Sequence, residues 1–366
     1  MAQKITLCFS GDVMTGRGVD QILPHPSNPV LYESYVKDAR HYVELAERVN
    51  GPIPRPVPYN YLWGDTLKYM KDADARIINL ETSITYSEAY LDKGINYRTH
   101  PKNIPCLTEA HIDCCVLANN HVMDWGTAGL LETLETLKKV GIGYAGAGRD
   151  RTEASAPAIL EMGDNGRVLV FSFGCTSSGI PQYWKATENS PGVNVLDDFS
   201  METVERINQL VTTYKQTNDV VVASIHWGGN WGYDIPLAHR YFAYHLIDQA
   251  QIDIIHGHSS HHFLGIEVYK KRPILYGCGD LLNDYEGISG HESYKAQLGF
   301  LYVVEVSTTG ELTSLQLVPT EIKKLQLKRP NKKNRSWVQK VLNRECKQFG
   351  TQVNLADNGS FFLGWT

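Results

Sequence analysis

An α/β fold with two packed sheets and helices outside them is what this chain predicts, on three observations. Short apolar runs alternate with stretches of helical spacing over most of the length, and four late runs lack long helices between them. The 366 residues, 42% of them hydrophobic, also supply enough apolar material for a large core. The runs at 4–10, 76–80, 113–118, 167–173, 220–225 and 252–255 read as buried strands, each short and bounded by turn residues. Helical spacing occupies 32–49, 62–71, 128–140, 201–217 and 237–250. The late runs at 264–269, 273–276, 299–306 and 312–319 are joined by turn signals such as Thr309-Gly310. They are expected to form a second, largely antiparallel sheet. One large domain is expected over residues 1–320. Residues 321–366 are expected to be an extension packing on it, with a helix at 337–349 and a terminal hairpin.

Composition narrows the function classes. A formal net charge of −5 argues against nucleic acid as the main partner, since a phosphate backbone needs a basic footprint. The one local basic stretch, residues 323–335, reads as a solvated connection before the last helix. The first residues run straight into an apolar strand-like segment without a signal-peptide pattern. No later window reaches the roughly 18 apolar residues of a membrane span, so a soluble, cytoplasmic protein with no membrane anchor is expected. Seven scattered cysteines without a C-x-x-C pair suit reduced, buried side chains. The segment 50–58, with four prolines, and the polar segment 85–101 are candidate walls of a substrate cleft.

Metal-competent residues fall repeatedly just past the expected strands. Asp12 follows the first, Glu81 the second and Asn119-Asn120-His121 the third. His226 follows the run at 220–225, and His256-Gly257-His258-Ser259-Ser260-His261-His262 follows the run at 252–255. The carboxyl ends of parallel strands line one edge of a sheet, where ligands bind. Five such sites can therefore meet. Singly, each has an ordinary alternative: Asp12 and Glu81 as turn or cap residues, His226 as a core histidine, the histidine cluster as a solvated loop. Jointly, carboxylate, amide and imidazole donors without thiolate suit a catalytic zinc, manganese or iron site of one or two ions. Two ions would clamp a phosphoryl or acyl group and acidify a bound water.

The ordered motifs Gly11-Asp12-Val13-Met14, Asn79-Leu80-Glu81, Leu117-Ala118-Asn119-Asn120-His121-Val122-Met123-Asp124, His226-Trp227-Gly228 and Gly257-His258-Ser259-Ser260-His261 resemble those of the CapA family. Residues 265–269 and 273–280 resemble its next block, so the likeness spans roughly residues 4–305. That family, linked to poly-γ-glutamate synthesis, is a branch of the calcineurin-like metallophosphoesterases, and the resemblance implies their four-layer αββα sandwich. It implies metal-ligand positions for Asp12, Glu81, Asn120, His226, His258 and His261, with Glu81 as the bridge between ions. It also implies that His121 donates a proton or steadies developing charge, with Asp124 holding its tautomer. Met14 stands where the superfamily has a histidine, and Asn79-Leu80-Glu81 replaces its second motif, so a single-metal site is open. His256 in place of His258 is open as well.

Arg98 is the candidate grip on an anionic peptide or small-molecule substrate, with a surface salt bridge as its plain alternative. Asp280 and Asp284 are candidates to orient ligands from behind. Gly141-Ile142-Gly143-Tyr144-Ala145-Gly146 spells G-x-G-x-x-G, yet a helix precedes it and a strand follows, so it reads as a helix stop and turn. Trp227 and Trp231 are core residues or an aromatic wall over the site. The leading expectation is a metal-dependent hydrolase acting through metal-activated water on a poly-γ-glutamate or related peptide amide, or on a phosphoester. Two alternatives accompany it: a metal-dependent peptide Cα epimerase, and a non-catalytic subunit of poly-γ-glutamate synthesis or assembly.

Overall fold

The computed structural model describes residues 4–365. Strands β1 (Lys4–Val13), β2 (Ala75–Leu80), β3 (Cys114–Val116) and β4 (Gly143–Ala145) lie side by side and parallel. A second sheet of six is built from β5 (Ala158–Glu161), β6 (Arg167–Gly174), β7 (Val220–His226), β8 (Ile254–His258), β9 (Ile266–Tyr269) and β10 (Arg272–Leu275). Its order is β9-β10-β8-β7-β6-β5, with β6, β7, β8 and β10 parallel. The chain then returns to the first sheet. There β11 (Asp280–Leu282) pairs parallel with β1, and β12 (Leu298–Ser307) pairs antiparallel with it. The strand β13 (Leu312–Lys323) pairs with β12, and β14 (Gln326–Lys328) pairs with β13. Finally β15 (Thr351–Leu355) pairs with β16 (Phe361–Trp365), which lies against β13 and completes ten strands.

The two-sheet expectation holds, but the late strands divide differently. Residues 266–275 join the second sheet, whereas β12 and β13 extend the first beyond β1. Hydrogen-bond pairing decides this: β1 sits mid-sheet with one edge free for an antiparallel partner, and β12 takes it over six register pairs from Lys4↔Ser307 to Phe9↔Tyr302. No alternation within a single strand reveals which edge it will find.

Layering follows from which face each side chain occupies. Ile5, Leu7 and Phe9 of β1 meet Val168, Val170, Val220 and Val222 of the second sheet, forming the core between the sheets. Cys8 and Ile78 point outward, with Leu130, Leu134 and Leu137 of α2 (Gly126–Lys139) and Val43 of α1 (Arg40–Asn50) in the same cluster. On the far side, Leu169, Phe171, Val221 and Ala223 share a cluster with α3 (Met201–Tyr214) and α4 (Leu237–Gln249). Both faces of both sheets are therefore covered, giving an αββα sandwich, which is why the central strands read as continuous apolar runs. The helix α5 (Lys332–Cys346) packs Val338 and Leu342 into the inter-sheet core, against β15 and beside the edge strand β9. It fills the width that six strands leave uncovered under ten.

Two helical expectations shorten. Residues 32–38 are not helical; Leu31 N–H bonds Lys37 O, and Glu33 is drawn inward to Arg17. Residues 59–66 form a 3-10 turn broken at Gly64 (φ +40°), where a Cβ would lie 2.2 Å from Leu327 O. The G-x-G-x-x-G run begins as a helix stop, with Gly141 at φ +77° after α2 and β4 following. All seven cysteines are buried and unpaired. Among the described residues, no helix is long and apolar enough to cross a membrane.

Ile254, fully buried between the sheets, and Leu355, half exposed on β15, give a direct test of this layering. Ile254→Ala is expected to lower the unfolding free energy by about 3 kcal/mol, and Leu355→Ala by less than about 0.5 kcal/mol, measured by urea denaturation.

Candidate metal centre

Asp12 is positioned by a kink in β1. Its pairing with β2 shifts register between Phe9 and Asp12, a bulge that re-aims the strand end. Gly11 permits this because the Gly279 backbone presses on it: a Cβ at Gly11 would lie 1.7 Å from Gly279 O. Asp12 N–H bonds that same carbonyl at 3.0 Å, and Asp12 and Asp280 then stand opposite each other in register. The second sheet contributes from the facing edge, where His226 and His258 are paired residues at the ends of β7 and β8. Just after β8, Ser259 has φ +104°, a backbone region that L-residues rarely adopt.

Two groups of side chains are spaced to ligate a metal ion. Asp12, His226 and His258 form one; Asp12, His261 and Asp280 form the other. The carboxylate common to both is Asp12, not Glu81, the residue expected to bridge. Glu81 stands beside the first group, its Oε1 3.7 Å from His226 Nε2, and Asn120 Oδ1 lies 3.0 Å from that same nitrogen. Asn79 ties the carboxylates together, its Nδ2 donating to Asp12 Oδ1 at 2.7 Å and to Glu81 Oε2 at 2.5 Å. Thus all six residues expected as ligands converge, and Asp280 moves from a supporting position into a ligand-spaced one. His256 is committed elsewhere: Nε2 to Ser10 O at 2.8 Å and Nδ1 to Ser224 Oγ at 3.0 Å. Ser224 Oγ also meets His258 Nε2 at 2.8 Å, so His256 supports the site from behind it.

The electrostatics suit a cation. Burial, with the Asp280 charge adding to it, pushes Asp12 up to about 7, and burial with Asp12 beside it raises Glu81 well above the usual carboxylate range. Among the described residues, Asp12 Oδ2 is buried with no partner at full hydrogen-bond geometry, only the Ser259 backbone N–H nearby. Burial holds His226 and His258 neutral, and their Nδ1 atoms face each other at 2.7 Å, where at most one proton fits. An under-satisfied carboxylate oxygen, repelling acids and lone-pair-bearing imidazoles are the chemistry of a divalent-ion donor set.

A cavity of about 180 Å³ opens over this cluster, lined by Glu81, Asn120, His121, His261, Lys93, Ile95, Tyr97, Asn230, Ser259 and Tyr285. His121 Nδ1 lies 2.7 Å from Asp124 Oδ2, and its ring stacks on Tyr97 at 4.0 Å. Asp124 also accepts from Lys93 Nζ at 2.7 Å and from Tyr97 N–H at 2.6 Å. Burial lowers His121 to about 4. Since the Asp124 oxygen accepts, Nδ1 carries the proton and Nε2 is left to exchange one.

Arg98 stands apart from the cavity. Its guanidinium lies 4.0 Å over Trp125, donates to Ser87 O at 2.7 Å and Asn28 O at 3.2 Å, and pairs with Glu88 at 3.0 Å. The cation at the cavity is Lys93 instead, five residues earlier in the same polar segment. No spacing signal marked Lys93, although the segment 85–101 does form a wall; residues 50–58 do not line the cavity. Asp284 pairs bidentately with buried Arg17, which also bonds Glu33 at 2.8 Å and lies 5.0 Å from the Tyr97 ring centroid. It braces the cavity wall rather than a ligand. Trp227 is a core residue, its Nε1 on Tyr276 O at 2.8 Å and its ring stacked on His239 at 4.6 Å. Trp231 lies 5.3 Å from the His261 ring, at the edge of the site.

The chain is similar to several known proteins. A model of the family "Bacterial capsule synthesis protein PGA_cap" matches residues 6–285. A "probable polyglutamine synthesis accessory protein" of Mycobacterium tuberculosis is 44% identical over 354 residues, 95% of this chain and 93% of that protein. The "PGA biosynthesis protein CapA" of Bacillus subtilis is 26% identical over 88% of this chain and 75% of its own length. The "capsule biosynthesis protein CapA" of Bacillus anthracis is 26% identical over 77% of this chain and 60% of its own length.

The His239 ring beneath the loop after β7 gives a pH test. Burial lowers it to about 4 from an ordinary 6.5. The unfolded chain takes up this proton first as pH falls, so stability present above pH 6.5 is lost between 6.5 and 4, by on the order of 3 kcal/mol. His239→Phe is expected to flatten that part of the stability–pH curve, read from denaturant midpoints.

Proposed function

The chain belongs to the bacterial capsule synthesis protein family PGA_cap, and from that premise we propose that it is a metal-dependent, hydrolase-type enzyme serving poly-glutamate synthesis. Its substrate would be a poly-γ-glutamate or related peptide amide, or a phosphoester. The observation that carries this reading is Asp12, shared by both ligand-spaced groups, with Oδ2 buried and lacking a partner at full hydrogen-bond geometry among the described residues. Names of the relatives support the glutamate-polymer assignment, since they speak of polyglutamine synthesis and PGA biosynthesis.

Asp12, Glu81, Asn120, His226, His258, His261 and Asp280 would hold one or two ions of manganese, zinc or iron. When bound, such ions supply Lewis acidity toward a carbonyl or phosphoryl oxygen and activate a water for attack. The remaining steps belong to the protein's own groups. Asp124 fixes the His121 tautomer, so Nε2 exchanges the proton that the leaving group or incoming water requires. Lys93 Nζ, at the cavity wall, bonds Asn120 O and Asp124, and it balances the Asp124 charge while attracting an anionic substrate. Tyr97 keeps the imidazole plane in place by stacking.

Elemental analysis after reconstitution with manganese or zinc is expected to find one or two equivalents in the wild type and a loss in Asp12→Asn and His226→Ala. A wild type without metal after reconstitution would overturn the catalytic reading and leave a non-catalytic assembly protein.

His121→Ala is expected to retain metal while lowering kcat by about 10²–10⁴-fold, with KM little changed. Deuterium entering the substrate Cα without chain cleavage would instead assign epimerisation.

A further inference from the structure

Between Glu321 and Glu345 the chain carries no acidic residue, and residues 323–335 hold seven lysines and arginines in a protein of net charge −5. This stretch runs from the end of β13 through β14 into the first turn of α5. Among the described residues its single ion pair joins Lys323 to Glu321 at 3.2 Å. Arg329 and Arg335 converge on Gly359: a Cβ there would lie 2.8 Å from Arg335 Nη1 and 3.4 Å from Arg329 Nη2. Among the described residues, neither guanidinium has a carboxylate within salt-bridge distance; the Arg329 guanidinium donates to the carbonyls of Pro319 and Asn358. Asp65 lies against this site but accepts the Arg329 backbone N–H at 2.9 Å. A cation from a separate segment joins them, since Lys68 Nζ and the Arg329 guanidinium lie 4.9 and 5.3 Å from the centroid of the same Tyr69 ring. None of these residues lines the metal-spaced cavity.

Two partly buried guanidiniums side by side repel each other, Asp65 offsets this only in part, and a guanidinium fork matches a further carboxylate. We propose that the strip from Lys323 to Arg335, with Lys68 beside it, is a docking track for an extended polycarboxylate chain, a glutamate polymer, held apart from the cavity. The proposal rests on the reading that this protein handles such a polymer. Repeated carboxylates along one chain make many weak contacts act together, which a single small anion cannot do. Nucleic acid is the lesser fit, because the stretch itself has no aromatic side chain and the Tyr69 ring beside it is already taken by Lys68 and Arg329.

Fluorescence anisotropy with labelled poly-γ-glutamate and the full chain tests this. Wild-type binding is expected, weakening as salt rises, and the R329Q/R335Q variant is expected to raise Kd about tenfold or more. The exposed pair K332Q/K333Q provides a second, structurally mild variant expected to weaken binding in the same direction. K138Q/K139Q, an exposed lysine pair on α2 outside both the strip and the cavity lining, removes the same charge and is expected to leave binding unchanged. No polymer binding by the wild type, equal binding by both strip variants, or loss in His226→Ala alone would overturn the track; the last outcome would place the polymer at the cavity and keep the enzyme reading. Preference for RNA or polyphosphate over the glutamate chain would overturn the carboxylate assignment. Polymer binding at the strip without metal-dependent turnover would sink the enzyme reading and spare this one.

Discussion

Asp12, Glu81 and Asp280 are buried around one point, and the repulsion among them is the constraint on which the rest of the site depends. Removing three carboxylates from water is costly unless protons or cations balance them. The protein supplies partial relief through the Asn79 amide between Asp12 and Glu81, and through His261 and Asn283 against Asp280. Among the described residues one oxygen, Asp12 Oδ2, is left without a partner at full hydrogen-bond geometry. Around it the neutral His226 and His258 present lone pairs rather than further positive charge. A divalent ion in either ligand-spaced group would draw on carboxylate and imidazole together, whereas protonation would relieve the acids alone.

Holding such a cluster requires a stiff frame, and the sandwich provides one. Asp12, Glu81 and Asp280 come from the ten-stranded sheet, while His226 and His258 end strands of the six-stranded sheet. The site is therefore shared across the inter-sheet layer, whose apolar packing sets its dimensions. The Gly11–Gly279 contact brings the two acids of β1 and β11 into register, and the strained Ser259 turns the chain after β8 into the cavity wall. His121 belongs to a different arrangement, a polar chain running from Lys93 through Asp124 with Tyr97 as its floor. The ligand-spaced cluster and the His121–Asp124 pair thus rest on separate supports that meet at one cavity.

Much of this was legible beforehand. Strand-end positions of Asp12, Glu81, Asn120, His226 and His258 follow from apolar runs that stop just before them, and their convergence follows from parallel strands sharing an edge. Sequence leaves Arg98 between a substrate grip and a salt bridge, because a guanidinium in a polar segment reads alike in both; the fold gives it Glu88, backbone carbonyls and the Trp125 ring. The ligand-spaced position of Asp280 is hidden in the sequence because its strand is only three residues long and pairs with β1 from a distance of 268 positions in the chain. The basic stretch read as solvent-facing, and only the folded chain sets Arg329 and Arg335 around Gly359.

By itself the sequence determined the α/β class, the order of the buried strands, the donor types of the site and the family likeness, because each is written in local periodicity or in contiguous motifs. Tertiary structure alone decided that β12 and β13 extend the first sheet, that Asp12 rather than Glu81 joins the two ligand groups, that His256 stands behind His258, and that Lys93 replaces Arg98 at the cavity. The physical reason is common to all four: each is a choice among chemically equivalent partners, settled by which edge, face or carbonyl lies within about 3 Å, and hydrogen-bond geometry at that range exists only once distant segments have packed.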